Sequence, residues 1–220
     1  MTNLSNLEIL HADDAVLILN KSAGIPVLAD GWDRDAPYLV KLLEADYGKI
    51  WVVHRLDKVT SGVMVFARTA QAHRDLNGQF ENREAQKVYH AIAVGVPEWD
   101  QQVATHPLRA NVGHKHRAVV DLKTGKPSET RFTVLKRYPA HVLLEAKPVT
   151  GRTHQVRVHA MALGHPLLAD SLYGAPPTDL CPRPALHAYS LTVRLAGGTP
   201  VTFTASYPDD LNTTLERLDV

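Results

Sequence analysis

Three side chains capable of acid, base or anion chemistry stand within four residues at His54-Arg55-Leu56-Asp57. The stretch continues Lys58-Val59-Thr60-Ser61-Gly62 into an apolar run, Val63-Met64-Val65-Phe66-Ala67. A carboxylate beside cationic neighbours suits a nucleophile better than a general acid. An R-x-D tripeptide alone is ordinary, since exposed ion pairs are common and weak. The second stretch with chemical content is Pro148-Val149-Thr150-Gly151-Arg152-Thr153-His154-Gln155-Val156-Arg157-Val158-His159. It begins as a turn and continues with helical character to about Leu163. Arg152 therefore stands just ahead of a helix N-terminus, where free N–H groups and a partial positive charge favour anions.

Other chemistries lack their residues. No GxxxxGK[ST] or GxGxxG string supplies a phosphate cradle, and no G-x-S-x-G elbow presents a serine. The single cysteine, Cys181, excludes an intrachain disulfide and a cysteine-based zinc cluster, and its proline neighbours suggest an inert thiol in a loop. Twelve histidines include His114-x-His116 and the pair His154 and His159. Positions five apart on a helix point about 140° apart and cannot chelate together. His114 and His116 find no third ligand at a recognisable spacing, so no metal is expected. A glycosidase would want a second carboxylate as its acid, and no motif carries one. What remains is one favoured carboxylate beside two arginines, which fits an aspartate acting as nucleophile without a cofactor.

The elements that must hold these residues are legible as hydrophobic patterns. Gly62 to Ala67 reads as a buried strand, and His54 to Lys58 as a loop leading into it, where a carboxylate is both fixed and reachable. Ala15 to Asn20 reads as another buried strand, followed by a turn-rich loop, Lys21-Ser22-Ala23-Gly24-Ile25-Pro26. Pro37 to Tyr47 forms a short amphipathic helix ended by Gly48, and Thr69 caps a helix to about Glu84 with Ala72, Leu76 and Phe80 facing inward. Lys87 to Gly95 alternates as a strand. Residues 115 to 137 read as a basic hairpin, with Ala118-Val119-Val120 and Arg131-Phe132-Thr133-Val134-Leu135 flanking Thr124-Gly125-Lys126-Pro127. Strands at His141 to Ala146, Ser190 to Leu195 and Val201 to Ala205 follow, and the last dozen residues read as a short capped helix. With no repeat, linker or low-complexity tract, one domain is expected over residues 1–220.

A hydrophobic content of 45% supports a real core. The first residues lack the features of a signal peptide and no run reaches the ~18 apolar residues of a membrane helix, so a cytoplasmic protein away from membranes is expected. Net charge is only +1, yet it is unevenly placed: Thr105 to Arg137 holds eight Lys or Arg against two acids. A local basic face in a near-neutral protein is what phosphate binding requires, and Lys115, Arg117, Lys123 and Lys126 are the candidates for an RNA backbone.

The string H-R-L-D-x-x-T-S-G-x-x-x-x-A from His54 to Ala67 resembles the signature of the RluA-type RNA pseudouridine synthases, with every specified position present. T-G-R-T-H-Q-V-R-V-H from Thr150 to His159 resembles their second motif, and Tyr89 takes the tyrosine position of their K-x-Y-x-A-x-V-x-G pattern. Two departures stand out: Ser22 where a proline usually follows Lys21, and Ala169 where a glycine is usual in the Gly164-His165-Pro166 stretch. The resemblance implies an α+β fold, a mixed but largely antiparallel bent sheet flanked by helices with a central cleft. It also implies a reaction in which uracil is detached from C1′, rotated and rejoined through C5. Asp57 would be the catalytic nucleophile, whether at C1′, at C6 or by way of a glycal, and Tyr89 would stack on the base. Arg152 would orient Asp57, Arg55 would fill the vacated position or hold phosphate, and His54 and Thr60 would complete the substrate contacts. RNA, not DNA, is the implied partner, with no cofactor and a monomeric enzyme. The chain resembles the short form that lacks an N-terminal S4 domain and acts on both 23S rRNA and tRNA.

Overall fold

The computed structural model describes residues 7–29, 36–113 and 117–220. In chain order the elements are β1 (Glu8–Ala12), β2 (Val16–Lys21), α1 (Leu39–Tyr47), β3 (Trp51–Val52), β4 (Ser61–Ala67), α2 (Ala70–Glu81), β5 (Gln86–Val94) and β6 (Gln101–Ala104). They continue with β7 (Leu108–Val112), β8 (Arg117–Val120), β9 (Thr130–Arg137), β10 (His141–Pro148), α3 (Gln155–Ala162), β11 (Leu186–Arg194), β12 (Pro200–Thr204) and α4 (Asp209–Leu218). The chain divides into two compact units. The first takes residues 1–86 and returns for 188–206, and the second takes 87–187 and 207–220.

In the first unit the strand order is β1-β2-β4-β11, with β3 on β4 and β12 on β11. The β1–β2, β2–β4, β3–β4 and β11–β12 pairs are antiparallel. Every residue of β4 is buried, as are Val16 to Leu19 of β2, which is why both read as unbroken apolar runs. One core gathers Val16, Ile18, Val63, Val65, Leu191 and Val193 with Leu76, and Ala72 and Phe80 of α2 pack against it. Thr69 caps α2 as its sequence position predicts, its side chain accepting from the Ala72 N–H at 3.1 Å. Gly62 has φ +119°, and a Cβ there would lie 2.2 Å from the Ala188 carbonyl oxygen of β11. Only glycine allows that approach.

In the second unit the order β5-β10-β9-β6 is antiparallel throughout. Helix α3 packs on β10, β9, β6 and β8, and its Val156 and Ala160 join Ala91, Ala93, Phe132, Val142 and Leu144 in the core. A second cluster, with Ile92, Leu168, Cys181, Ala185 and Leu211, packs α4 in place. Pro208 stands at the α4 N-cap with no side-chain cap, so Asp209 and Asp210 in the first turn complement the helix end instead.

The basic hairpin is drawn differently from its sequence pattern. β8 pairs with β7 rather than with β9, and β9 belongs to the main sheet between β10 and β6. The reason lies in the turn at Asp121. Its carboxylate accepts from the N–H groups of Lys123 and Thr124, from the Thr124 hydroxyl, and from Arg109 Nε of β7 at 2.6 Å. Leu108 and Lys126 then exchange backbone hydrogen bonds, folding the turn back onto β7. A Cβ on Gly125 would lie 2.3 Å from the Asp121 carbonyl oxygen and 2.8 Å from Pro107, which explains the glycine.

Candidate active site

The first unit supplies the Asp57 loop, and its construction begins with Lys21. That lysine ends β2, where pairing with Gly62 places it beside the start of β4, and it is 0% exposed. Its ammonium donates to the carbonyl oxygens of Ser22 (2.8 Å), Ile25 (2.9 Å) and Lys58 (3.4 Å). The Lys58 carbonyl also accepts from the Gly24 N–H at 2.7 Å, with Gly24 at φ +89°. A buried ammonium is thus satisfied by backbone oxygens, and the loop after β2 is laced to the turn after Asp57. Ser22 in place of a proline leaves this lacing intact.

Residues 57–60 form a tight turn closed by the Thr60 N–H on the Asp57 carbonyl at 3.0 Å, with Thr60 buried. Leu56 is buried and anchors the loop, while Asp57 is half-buried and Arg55 exposed. His54 turns toward the protein: its Nε2 accepts from the Val65 N–H at 3.1 Å, and its ring stacks on Phe80 with centroids 4.6 Å apart. The loop is therefore braced at both ends by β4, and the Asp57 carboxylate is presented from a rigid support.

The second unit supplies Tyr89 and Arg152. Tyr89 lies opposite Ala146 on β5, half-buried, and packs against the core cluster of Ala91 and Ala146. Arg152 is exposed, on a loop held by Gln155, a residue of this motif whose role the sequence does not announce. The Gln155 side-chain oxygen accepts from the Thr150 hydroxyl (2.6 Å) and the Arg152 N–H (3.0 Å). Its amide donates to the Glu129 carbonyl (2.8 Å) and the Thr130 hydroxyl (2.9 Å). With all four bonds made, two of them buried, the loop is fixed before α3 begins. His154 at the N-cap takes a left-handed conformation and bonds the Tyr173 hydroxyl at 2.7 Å. Its neighbour in the motif, His159, is fully buried and bonded to Thr130, Ser128 and the His106 carbonyl, and burial pushes its pKa down. Both rings are bonded within the protein. His114, Lys115 and His116 lie outside the described residues.

The remaining basic residues separate into two sets. Arg109, Arg131, Lys136 and Arg137 are paired with Asp121, Glu129, Asp219 and Asp100. Arg117, Lys123 and Lys126 are exposed on and beside the β7–β8 ribbon. Hydrogen bonds from the Thr124 backbone and hydroxyl, with Arg109 beside them, hold the Asp121 carboxyl well below the usual range. The turn that carries Lys123 is held by these bonds.

Residues 15–162 match the family described as RNA pseudouridylate synthase. The dual-specificity RNA pseudouridine synthase RluA of Escherichia coli (strain K12) is 38% identical over 204 residues, covering 90% of this chain and 92% of that one. Ribosomal large subunit pseudouridine synthase D of Neisseria meningitidis is 37% identical over 227 residues, covering 93% of this chain and 59% of its own. The solved structure of human RNA pseudouridylate synthase domain containing 1 superposes with a TM-score of 0.82 at 28% identity, covering 97% of this chain and 89% of that one. The mixed, largely antiparallel sheet flanked by helices matches the fold of these neighbours. The chain belongs to the RluA-type RNA pseudouridine synthases: it is an isomerase whose substrate is RNA. No described helix is long and apolar enough to cross a membrane.

Proposed function

We propose that this synthase isomerises uridines in both 23S rRNA and tRNA stem-loops, with Asp57 as its nucleophile. The observation that carries the reading is the half-buried carboxylate of Asp57 on a turn pinned by the buried Lys21, inside a complete family motif. Similarity to dual-specificity relatives over nearly the whole chain supports the choice of RNA. Uridine in a loop is flipped out at low cost because its base is already unpaired. Tyr89 then stacks on the uracil while Asp57 attacks, Arg152 orients the carboxylate, and Arg55 fills the vacated position or holds phosphate. His54 and Thr60 act by shaping the loop that presents Asp57. Arg117, Lys123 and Lys126, with Lys115, track the phosphate backbone. The enzyme works as one catalytic domain over residues 1–220, as a cytoplasmic monomer, on RNA rather than DNA, and without a cofactor.

The test is chromatography of nucleosides from digested 23S rRNA and tRNA transcripts after incubation with the protein. Pseudouridine in both, with no free uracil, is the expected result. Asp57→Asn should lower the single-turnover rate by at least ~10⁴-fold while binding RNA as before, since the amide keeps the shape and loses the nucleophile. Release of free uracil would mark a glycosidase, and an active Asn variant would remove Asp57 from the mechanism.

A further inference from the structure

Strand β5 carries a second chemically active side chain that the reaction above does not employ. Lys87 precedes Tyr89 by two residues and so occupies the same face of the strand. It is half-buried, and among the described residues its ammonium makes one hydrogen bond, to the Thr150 carbonyl at 3.0 Å. A Cβ on Gly151 would stand 3.9 Å from that nitrogen. The charged groups on the packed elements do not balance it. Glu145 of β10 is paired with Lys147, Glu129 ahead of β9 is paired with Arg131, and Arg152 is itself a cation. Burial alone pushes the Lys87 pKa down to about 8. A sequestered ammonium without a counter-charge is costly to keep, and such groups gather where function demands them. Thr150 is also the first member of the network that fixes the Arg152 backbone through Gln155. Lys87 is thus the side-chain tie between the strand of Tyr89 and the loop of Arg152.

We propose that Lys87 is a positioning residue of the synthase, its ammonium clamping the Thr150–Arg152 loop onto β5 and so setting Arg152 against Tyr89 for the uracil rearrangement. The proposal rests on the roles given above to Tyr89 and Arg152. Its charge matters because a charge-assisted hydrogen bond is roughly twice as strong as a neutral one, so loss of the proton slackens the loop. The value of kcat/KM, which reports groups of the free enzyme, should then fall above about pH 8. Stability moves the other way. With a folded pKa of about 8 against ~10.4 for an ordinary lysine, the unfolded chain holds a proton in that window that the folded chain has shed. This residue's contribution to stability therefore rises with pH across the window, and the loss of activity is not unfolding caused by its titration.

Tritium release from transcripts of tRNA and 23S rRNA carrying [5-³H]uridine, measured between about pH 6 and 10 with RNA binding and thermal melting in parallel, tests this. Wild type should show a one-proton alkaline limb near pH 8. Lys87→Arg, charged throughout, should remain active with that limb removed. Lys87→Met should lose about 10–100-fold in kcat at neutral pH with RNA affinity nearly unchanged, as expected when a catalytic loop is misplaced. A flat wild-type profile, the same limb retained in Lys87→Arg, or a fully active Lys87→Met would each overturn the proposal. If Lys87→Met does not fold, the Arg profile decides. Wild type that releases no tritium from either RNA at any pH would overturn the substrate reading itself, and the proposal with it.

Discussion

Arg157 and Asp170 meet through two parallel hydrogen bonds, Nε to Oδ2 at 2.7 Å and Nη2 to Oδ1 at 2.8 Å, with Arg157 5% and Asp170 0% exposed. The planar guanidinium matches the carboxylate at two points. Beneath it lies the ring of Tyr173, whose hydroxyl bonds the Ala118 N–H of β8 and His154. Two charged residues of the family-like motifs thus serve architecture, joining α3 to the segment after it and to the β7–β8 ribbon.

Breaking this pair from one side should be severe. Asp170→Ala takes two charge-assisted hydrogen bonds from a buried guanidinium and should cost about 3–5 kcal/mol. Replacing both partners by apolar residues, Arg157→Met with Asp170→Leu, should cost markedly less than the single change. Urea unfolding of the three variants checks it, and a double variant no better than Asp170→Ala would show that packing dominates charge here.

Lys21→Met should also act at two levels. Removing the ammonium leaves the Ser22 and Ile25 carbonyls short of a donor, a loss of about 2–4 kcal/mol. The Asp57 turn should loosen with it, so kcat should drop well below wild type in protein that is still folded at low temperature, while RNA affinity changes little. Melting curves alongside single-turnover rates separate the two effects.

Ala169 has φ +62°, where a Cβ is crowded. A left-handed alanine costs roughly 1–2 kcal/mol, of which part returns as unfolded-chain entropy when glycine is installed. Ala169→Gly should therefore stabilise the protein by about 0.5–1 kcal/mol, read as a higher urea midpoint at unchanged slope, with activity as in wild type.

Neutralising Arg117, Lys123 and Lys126 together should weaken target and non-target RNA by similar factors and flatten the slope of log K against log salt by about 2–3. Arg109 should not behave this way, because Asp121 already holds it. Filter binding across a salt series measures both. An unchanged slope would mean the three side chains are only solvated, and a selective loss for one RNA class would mean they choose the substrate.

The elements around Asp57 were legible because the strands beside it are buried on both faces and Thr69 and Gly48 punctuate the helices. β1, β6 and β7 were not, since Gln101-Gln102-Val103-Ala104 and Leu108-Arg109-Ala110-Asn111-Val112 carry too little apolar alternation to stand out. The partner of β8 departs from its sequence pattern for a different reason. Strand pattern reports burial, whereas pairing here is decided by one carboxylate, Asp121, that folds the turn back. Asp57 and Arg152 carry chemistry that their motifs announce, whereas Lys21, Gln155 and Lys87 stand in the family-like patterns without a readable role, because holding a loop through backbone oxygens leaves no spacing signature.

The close approach of Gly62 to Ala188 also governs how the protein is made. β4 ends at Ala67, yet the strand that covers its free edge begins at Leu186. At ~5–20 residues per second, the roughly 120 residues between them take on the order of 6–24 s to leave the ribosome. Through that interval the part of this mostly apolar strand that β3 does not pair has an open edge, the kind of surface that chaperones bind and that aggregates when they are scarce. Nascent chains stalled before residue 186 should accordingly be cut readily by protease near β4, and chains stalled well beyond β12 should resist.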